Sequence, residues 1–209
     1  MKCNTLIFDF DGTIADTLDE ALKIYNSMAD QYSLLKVRDS DVADLRHMSI
    51  GRLFDHLGIS KHRAPKMLYQ GTRMLKSRIA SLPLIQGMAE ALPVLRSRAK
   101  HFGILTSNSV DNVSLFLNTH GLEDVFTFVS STSKLTGKAR HLRSIQKSYG
   151  IDPDEMIYIG DEIRDIRAAK KAGVAVAAVG WGFNSPESLQ AEDPDFMLQH
   201  PDELTALLA

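Results

Sequence analysis

Short apolar runs that stop at a carboxylate or hydroxyl alternate along this chain with stretches of three-and-four spacing. Residues 4–9, NTLIFD, form a continuous apolar run closed by an acid, the pattern of a strand buried on both faces of a parallel sheet. Comparable runs lie at 101–106 (HFGILT), 125–131 (VFTFVSS), 155–161 (EMIYIGD) and 173–180 (GVAVAAVG), with a weaker one at 195–199 (DFMLQ). Helix-like stretches separate them: MAEALPVLRSR, SVDNVSLFLNTHG closing on Gly121, GKARHLRSIQKSYG closing on Gly150, and IRDIRAAKKAG closing on Gly173. Pro93 predicts a kink or an early end to the first of these. Strands alternating with helices predict an α/β fold: a Rossmann-like, doubly wound parallel sheet.

Residues 16–83 break that rhythm, with several helical periods and no convincing strand. Leu18, Leu22, Tyr25, Met28, Ala29 and Tyr32 share one face at steps of three and four, as do Met67, Met74, Leu75 and Ile79. The spacing predicts an inserted all-α cap over 16–83, entered and left by short hinges. The sheet domain is then discontinuous, made of 1–15 and 84–209. A helical unit hinged beside a strand end is suited to act as a lid.

Composition narrows the class. With 44% hydrophobic and 24% charged residues, the chain is neither disordered nor collagenous. A net charge of −2 gives no electrostatic reason to expect a nucleic-acid partner. The apolar stretch 172–182 is well short of the ~18 residues of a membrane helix, so no membrane partner is expected. Cys3 has no second cysteine to pair with, and Asp9 and Asp11 interrupt the first apolar run where a signal-peptide core would continue. A reduced, cytoplasmic protein is the expectation, with Cys3 buried and not nucleophilic.

In a doubly wound sheet, ligands bind beyond the carboxyl ends of the strands. Those ends carry Asp9-Phe10-Asp11-Gly12, Thr106-Ser107-Asn108 and Gly160-Asp161-Glu162 with Asp165 close behind, while Lys138 opens the helix after the third strand. Two carboxylates ~4 Å apart repel by about 1 kcal/mol in water and about 4 kcal/mol at an effective dielectric of ~20. Asp9, Asp11 and Asp161 together therefore call for a counter-cation, and an all-oxygen set with room for water suits Mg²⁺. Lys138 and the Thr106 hydroxyl would help neutralise a phosphoryl group so that an anionic nucleophile can approach it.

These residues resemble the haloacid dehalogenase-like hydrolases, specifically the phosphoglycolate-phosphatase-like branch with a helical cap after the first motif. The motifs are DFDGTIADT at 9–17, Thr106 in ILTSN, Lys138 in GKARHL and GDEIRD at 160–165, in family order. The resemblance implies a Mg²⁺-dependent phosphatase acting on a small phosphorylated metabolite: phosphoglycolate, a sugar phosphate or a nucleotide. It implies Asp9 as the nucleophile that takes the phosphoryl group and Asp11 as the acid that protonates the leaving alcohol and then activates water. Thr106 and Lys138 would bind phosphoryl oxygens. The metal would be held by Asp9, the Asp11 carbonyl and Asp161, with Glu162 and Asp165 in or beside that shell. Backbone N–H groups of Phe10 to Gly12 and of Ser107 and Asn108 would complete the phosphate cradle.

Departures from the family pattern refine this. Ala139 follows Lys138 where relatives often carry Pro, so Lys134 is the alternative cation. The retained Asp11 favours phosphate chemistry over carbon–halogen cleavage. Ala21 and Leu22 stand where sugar phosphomutases usually place a His, which favours hydrolysis over the alternative of a phosphotransferase or mutase. A non-catalytic regulatory module is the remaining alternative, and intact Asp9, Asp11 and Lys138 argue against it.

Simpler roles compete at several positions. Asn108 or Ser109 could cap the following helix, and Glu162 and Asp165 could serve a helix dipole. Arg52, in the cap segment MSIGRLF, could contact an anionic substrate or stand exposed. Trp181 could wall the pocket or pack. The histidines have no ligand spacing and none is assigned a metal.

Overall fold

The computed structural model describes residues 3–132 and 137–208. Its centre is a six-stranded, all-parallel sheet in the order β3-β2-β1-β4-β5-β6, with β1 Thr5–Phe8, β2 His101–Thr106, β3 Phe128–Ser131, β4 Met156–Gly160, β5 Ala175–Val179 and β6 Phe196–Leu198. The order reverses at β1, between β2 on one side and β4 on the other, which creates the crevice at their carboxyl ends. Successive residues of β1 alternate faces. Leu6 and Phe8 join the apolar cluster beneath α5 (Met88–Arg98) and α6 (Val110–Thr119). Ile7 joins the opposite cluster beneath α7 (Lys138–Tyr149), α8 (Ile163–Ala172) and α9 (Pro186–Gln190). Two-sided burial is why the sequence reads as unbroken apolar runs rather than alternating ones.

Two expectations need correction, and one, for Pro93, is narrowed. Pro93 does not end its helix: α5 continues to Arg98, held to the sheet by fully buried Leu92 and Leu95. The third strand starts at Phe128, because Val125 is turned back by its amide's bond to the Leu122 carbonyl, and the chain first reaches Phe102 at Thr127, through both its amide and its hydroxyl. Cys3 is half-buried, its thiol directed at the Thr5 carbonyl, and burial pushes that thiol's pKa up.

Between β1 and α5 lie α1 (Leu18–Tyr32), α2 (Val42–Arg46), α3 (Ile50–His56) and α4 (Ala64–Lys76). They close around a cluster of their own that includes Ile24, Met28, Leu45, Leu57, Ile59 and Met67. Ile79 belongs instead to the main core, fully buried. The chain leaves and re-enters the sheet layer side by side. Asp16 N–H donates to the Pro83 carbonyl at 3.0 Å, and Ile85 N–H to the Ile14 carbonyl at 2.9 Å. Among the described residues no helix is long and apolar enough to cross a membrane.

Candidate active site

The end of β1 fixes Asp9 tightly. Its amide still donates across the sheet to the Ile159 carbonyl at 2.7 Å, after which the chain closes a tight loop in which the Ile14 and Ala15 amides both return to the Phe10 carbonyl. Gly12 lies in this loop at φ +75°, and a Cβ there would overlap the Asp161 carboxylate and the Phe183 ring. Trp181 Nε1 donates to the Thr13 carbonyl at 3.1 Å, so Trp181 braces the loop.

Lys138, the first residue of α7, is 2% exposed. A helix start disfavours a cation, and two carboxylates offset this. Its Nζ donates to Asp9 Oδ2 at 2.5 Å and to Asp165 Oδ1 at 2.6 Å. The other Asp165 oxygen accepts the Glu162 amide, completing a capping box on α8. Asp165 thus caps its helix and holds the lysine. Lys134 lies outside the described residues.

Asp11 faces the cavity, and both its oxygens accept from Asn108 Nδ2 at 3.1–3.2 Å. Asn108 is itself locked: its Oδ1 accepts the Ser109 amide and Asn112 Nδ2, each at 2.8 Å, and its amide donates to Thr106 Oγ1 at 2.9 Å. Ser109, not Asn108, caps α6. The Phe10 amide donates to Asp9 Oδ1 at 2.7 Å and the Gly12 amide to the Ala15 carbonyl at 2.9 Å, so these two expected cradle donors are engaged within the loop. Thr106, fully buried, keeps its hydroxyl proton for donation.

Carboxylate oxygens of Asp9, Glu162 and Asp165 lie within 4.8 Å of one another. Asp161 is fully buried beside them, with Oδ1 accepting from Thr13 Oγ1 and Oδ2 from the Phe183 amide, both at 2.7 Å. Glu162 pairs with Arg164, whose Nη2 also lies 3.5 Å from Ser107 Oγ. Five carboxylates (Asp9, Asp11, Asp161, Glu162, Asp165) thus surround two cations, Lys138 and Arg164. Burial pushes the Asp9 pKa up to about 7 against the pull of Lys138, and Asp165 adds repulsion. Burial raises Asp11 to about 6, opposed by its Asn108 bond and by Arg164. Asp161 is raised well above the usual range by burial and by the charges of Glu162, Asp9 and Asp165. Burial works against the Lys138 charge, but Asp165 and Asp9 outweigh it and hold the ammonium above the ordinary lysine value. Clustered hard oxygen donors with excess negative charge fit a divalent cation.

Above this floor is a cavity of about 310 Å³. Asp11, Ser107, Asn108, Glu162 and Arg164 line it below, and α1, α3 and α4 roof it with apolar groups such as Ile24, Phe54 and Met67. Arg52 stands exposed on α3 and is not among the lining residues. Sequence reasoning missed Arg164, which reads there as an ordinary helix residue between two motif acids. Thr13 stands in the first motif with no role of its own in the sequence reading, and its bond to Asp161 is visible only in the folded loop.

A family model for haloacid dehalogenase-like hydrolases matches residues 6–179. The chain belongs to this family. It falls in the phosphoglycolate-phosphatase-like branch and is an enzyme of the phosphatase class. It is 36% identical over 199 residues to a phosphoglycolate phosphatase of Synechococcus elongatus, covering 95% of this chain and 94% of that one. It is 26% identical over 210 residues to the pyrophosphatase PpaX of Bacillus pumilus, covering 98% and 96%. In fold it is similar to a haloacid dehalogenase-like family hydrolase of Streptococcus pneumoniae, with TM-score 0.83 and 18% identity over 100% of this chain and 99% of that one.

Proposed function

We propose that this protein is a Mg²⁺-dependent phosphatase that hydrolyses a small phosphomonoester through an aspartyl-phosphate on Asp9. The observation that carries the reading is the buried Asp9–Lys138–Asp165 arrangement at the sheet switch point, with Asp11 beside it facing the cavity. Relatives named for phosphoglycolate and pyrophosphate hydrolysis support a compact phosphorylated substrate.

In this mechanism an Asp9 carboxylate oxygen attacks phosphorus and the bond to the leaving alcohol breaks. Asp11, with a pKa of about 6, gives its proton to that alcohol oxygen. Asp11, now a carboxylate, takes a proton from water as the water oxygen attacks phosphorus, releasing inorganic phosphate and regenerating Asp9. Lys138 and the Thr106 hydroxyl bind phosphoryl oxygens, and Asn108 aims Asp11. Asp9, the Asp11 carbonyl and Asp161, with Glu162 and Asp165 next to them, would hold Mg²⁺, which supplies charge neutralisation for the approaching anions. Residues 16–83 act as a cap that excludes bulk water over the core formed by 1–15 and 84–209.

The test is phosphate release from a panel of small phosphomonoesters with Mg²⁺ and with chelator, in wild type and Asp9→Asn. Release that requires both the metal and Asp9 is expected. Comparable release by the Asp9→Asn variant would overturn the assignment.

A further inference from the structure

Arg164 lines the cavity together with Asp11, and much of its hydrogen-bonding capacity is unused. Its Nη2 meets the Glu162 carboxylate, but its Nε and Nη1 atoms are buried with no partner. Buried guanidinium donors are rarely left so, because each has lost its water without gaining an acceptor. Arg164 is the second residue of α8, where the helix dipole also disfavours a cation. The Glu162 pair accounts for one edge of the group and not for the rest.

Among the described residues lining the cavity, Arg164 is the only cation, and it shares that lining with Asp11. Lys138, by contrast, is turned to Asp9. If Lys138 faces the phosphoryl side and Asp11 the ester oxygen, Arg164 stands on the leaving-group side. The largely aliphatic roof has little to offer the several hydroxyls of a sugar, and it strengthens any charge pairing beneath it by excluding water.

We infer that Arg164 is a specificity residue that binds an anionic substituent, a carboxylate or a second phosphoryl group, carried close to the ester oxygen on a compact leaving group. This rests on the phosphatase reading of the same site. No bond forms or breaks at Arg164: its contribution is selective binding.

The test compares pairs that differ in that charge: phosphoglycolate against ethyl phosphate for the carboxylate, and inorganic pyrophosphate against methyl phosphate for the second phosphoryl group. Wild type, Arg164→Gln and Arg164→Lys are assayed with Mg²⁺, and thermal melts check that each variant is folded. Dividing the wild-type preference by the variant preference cancels the intrinsic reactivity of the leaving groups. In at least one pair that quotient should be about 10- to 100-fold for Arg164→Gln, carried by KM, and intermediate for Arg164→Lys, which keeps the charge without the fork. The pair that responds identifies the anion. A preference in both pairs that is unchanged in the variants, or absent from wild type, overturns the inference and leaves the phosphatase reading standing. Failure of wild type to hydrolyse any of the four compounds counts against both.

Discussion

The Asn184 side chain, in the loop after β5, donates to the carbonyl of Arg46 at the end of α2 at 2.9 Å, and the Arg46 guanidinium returns to the same loop at the Gly182 carbonyl, 2.8 Å away. Asn184 also donates to the Met48 carbonyl, and its Oδ1 accepts the Ile163 amide at the start of α8. One buried amide therefore ties the inserted helices to the helix that carries Arg164 and Asp165. Asn184→Ala strands several polar groups at once, each costing about 1–3 kcal/mol. We expect a loss of at least about 2 kcal/mol in denaturant unfolding and a raised KM, since the cap loses its register over the cavity. A variant with wild-type stability and KM would show this connection to be dispensable.

Lys138 is clamped between Asp9 and Asp165, and Lys138→Met leaves two buried carboxylates facing each other. Turnover should fall by about a thousandfold or more, because the cation beside the proposed nucleophile is lost. Stability should fall by about 3–5 kcal/mol near neutral pH and by less in acid, where the carboxylates take up protons. Paired kinetics and melts check this, with Lys134→Ala as comparison. If Lys134→Ala proves the more damaging, the third motif is centred on the wrong lysine.

Gly12→Ala tests the loop that follows Asp9. The substitution places an L side chain at φ +75°, and its methyl overlaps the Asp161 carboxylate. Left-handed backbone costs an alanine about 1–2 kcal/mol before any collision is counted. We expect a lower melting temperature and a fall in kcat larger than the change in KM, because Asp161 and the Asp9 loop move together. Unaltered kcat in a folded variant would argue that the loop tolerates displacement.

Much of this arrangement was legible in the sequence because the sheet is buried on both sides: β1 alternates Leu6 and Phe8 with Ile7, so every position is apolar and the run ends where the chemistry begins. Asp9 and Lys138, which the structure pairs, stand out in the sequence for that reason, by position at strand and helix ends. The illegible parts are polar contacts across long sequence separations. Neither Arg46 nor Asn184 sits in a periodic pattern, and their partnership exists only once the inserted helices fold back on the β5 loop. Ile24 shows the same limit within a helix. It is buried in α1 while Leu22 and Tyr25, on the expected face, are half-buried, because the face is chosen by α4 and the neighbouring loops.

The crowded carboxylates make a prediction about pH and metal together. Folding raises Asp9 from 3.8 to about 7 and Asp11 from 3.8 to about 6, and raises Asp161 as well. The native state therefore binds more protons than the unfolded state across that interval. By linkage, the metal-free protein loses stability as pH rises from about 4 to 7, the reverse of an ion-paired acid with a depressed pKa. Divalent metal requires the deprotonated carboxylates, so its stabilising effect should grow over the same range. Thermal melts in chelator should give a melting temperature several degrees lower near pH 8 than near pH 5. Millimolar Mg²⁺ should raise it substantially near pH 8 and little near pH 5. An equal Mg²⁺ shift at both pH values would mean that these carboxylates are already ionised in the folded, metal-free protein, with Lys138 and Arg164 compensating their charge.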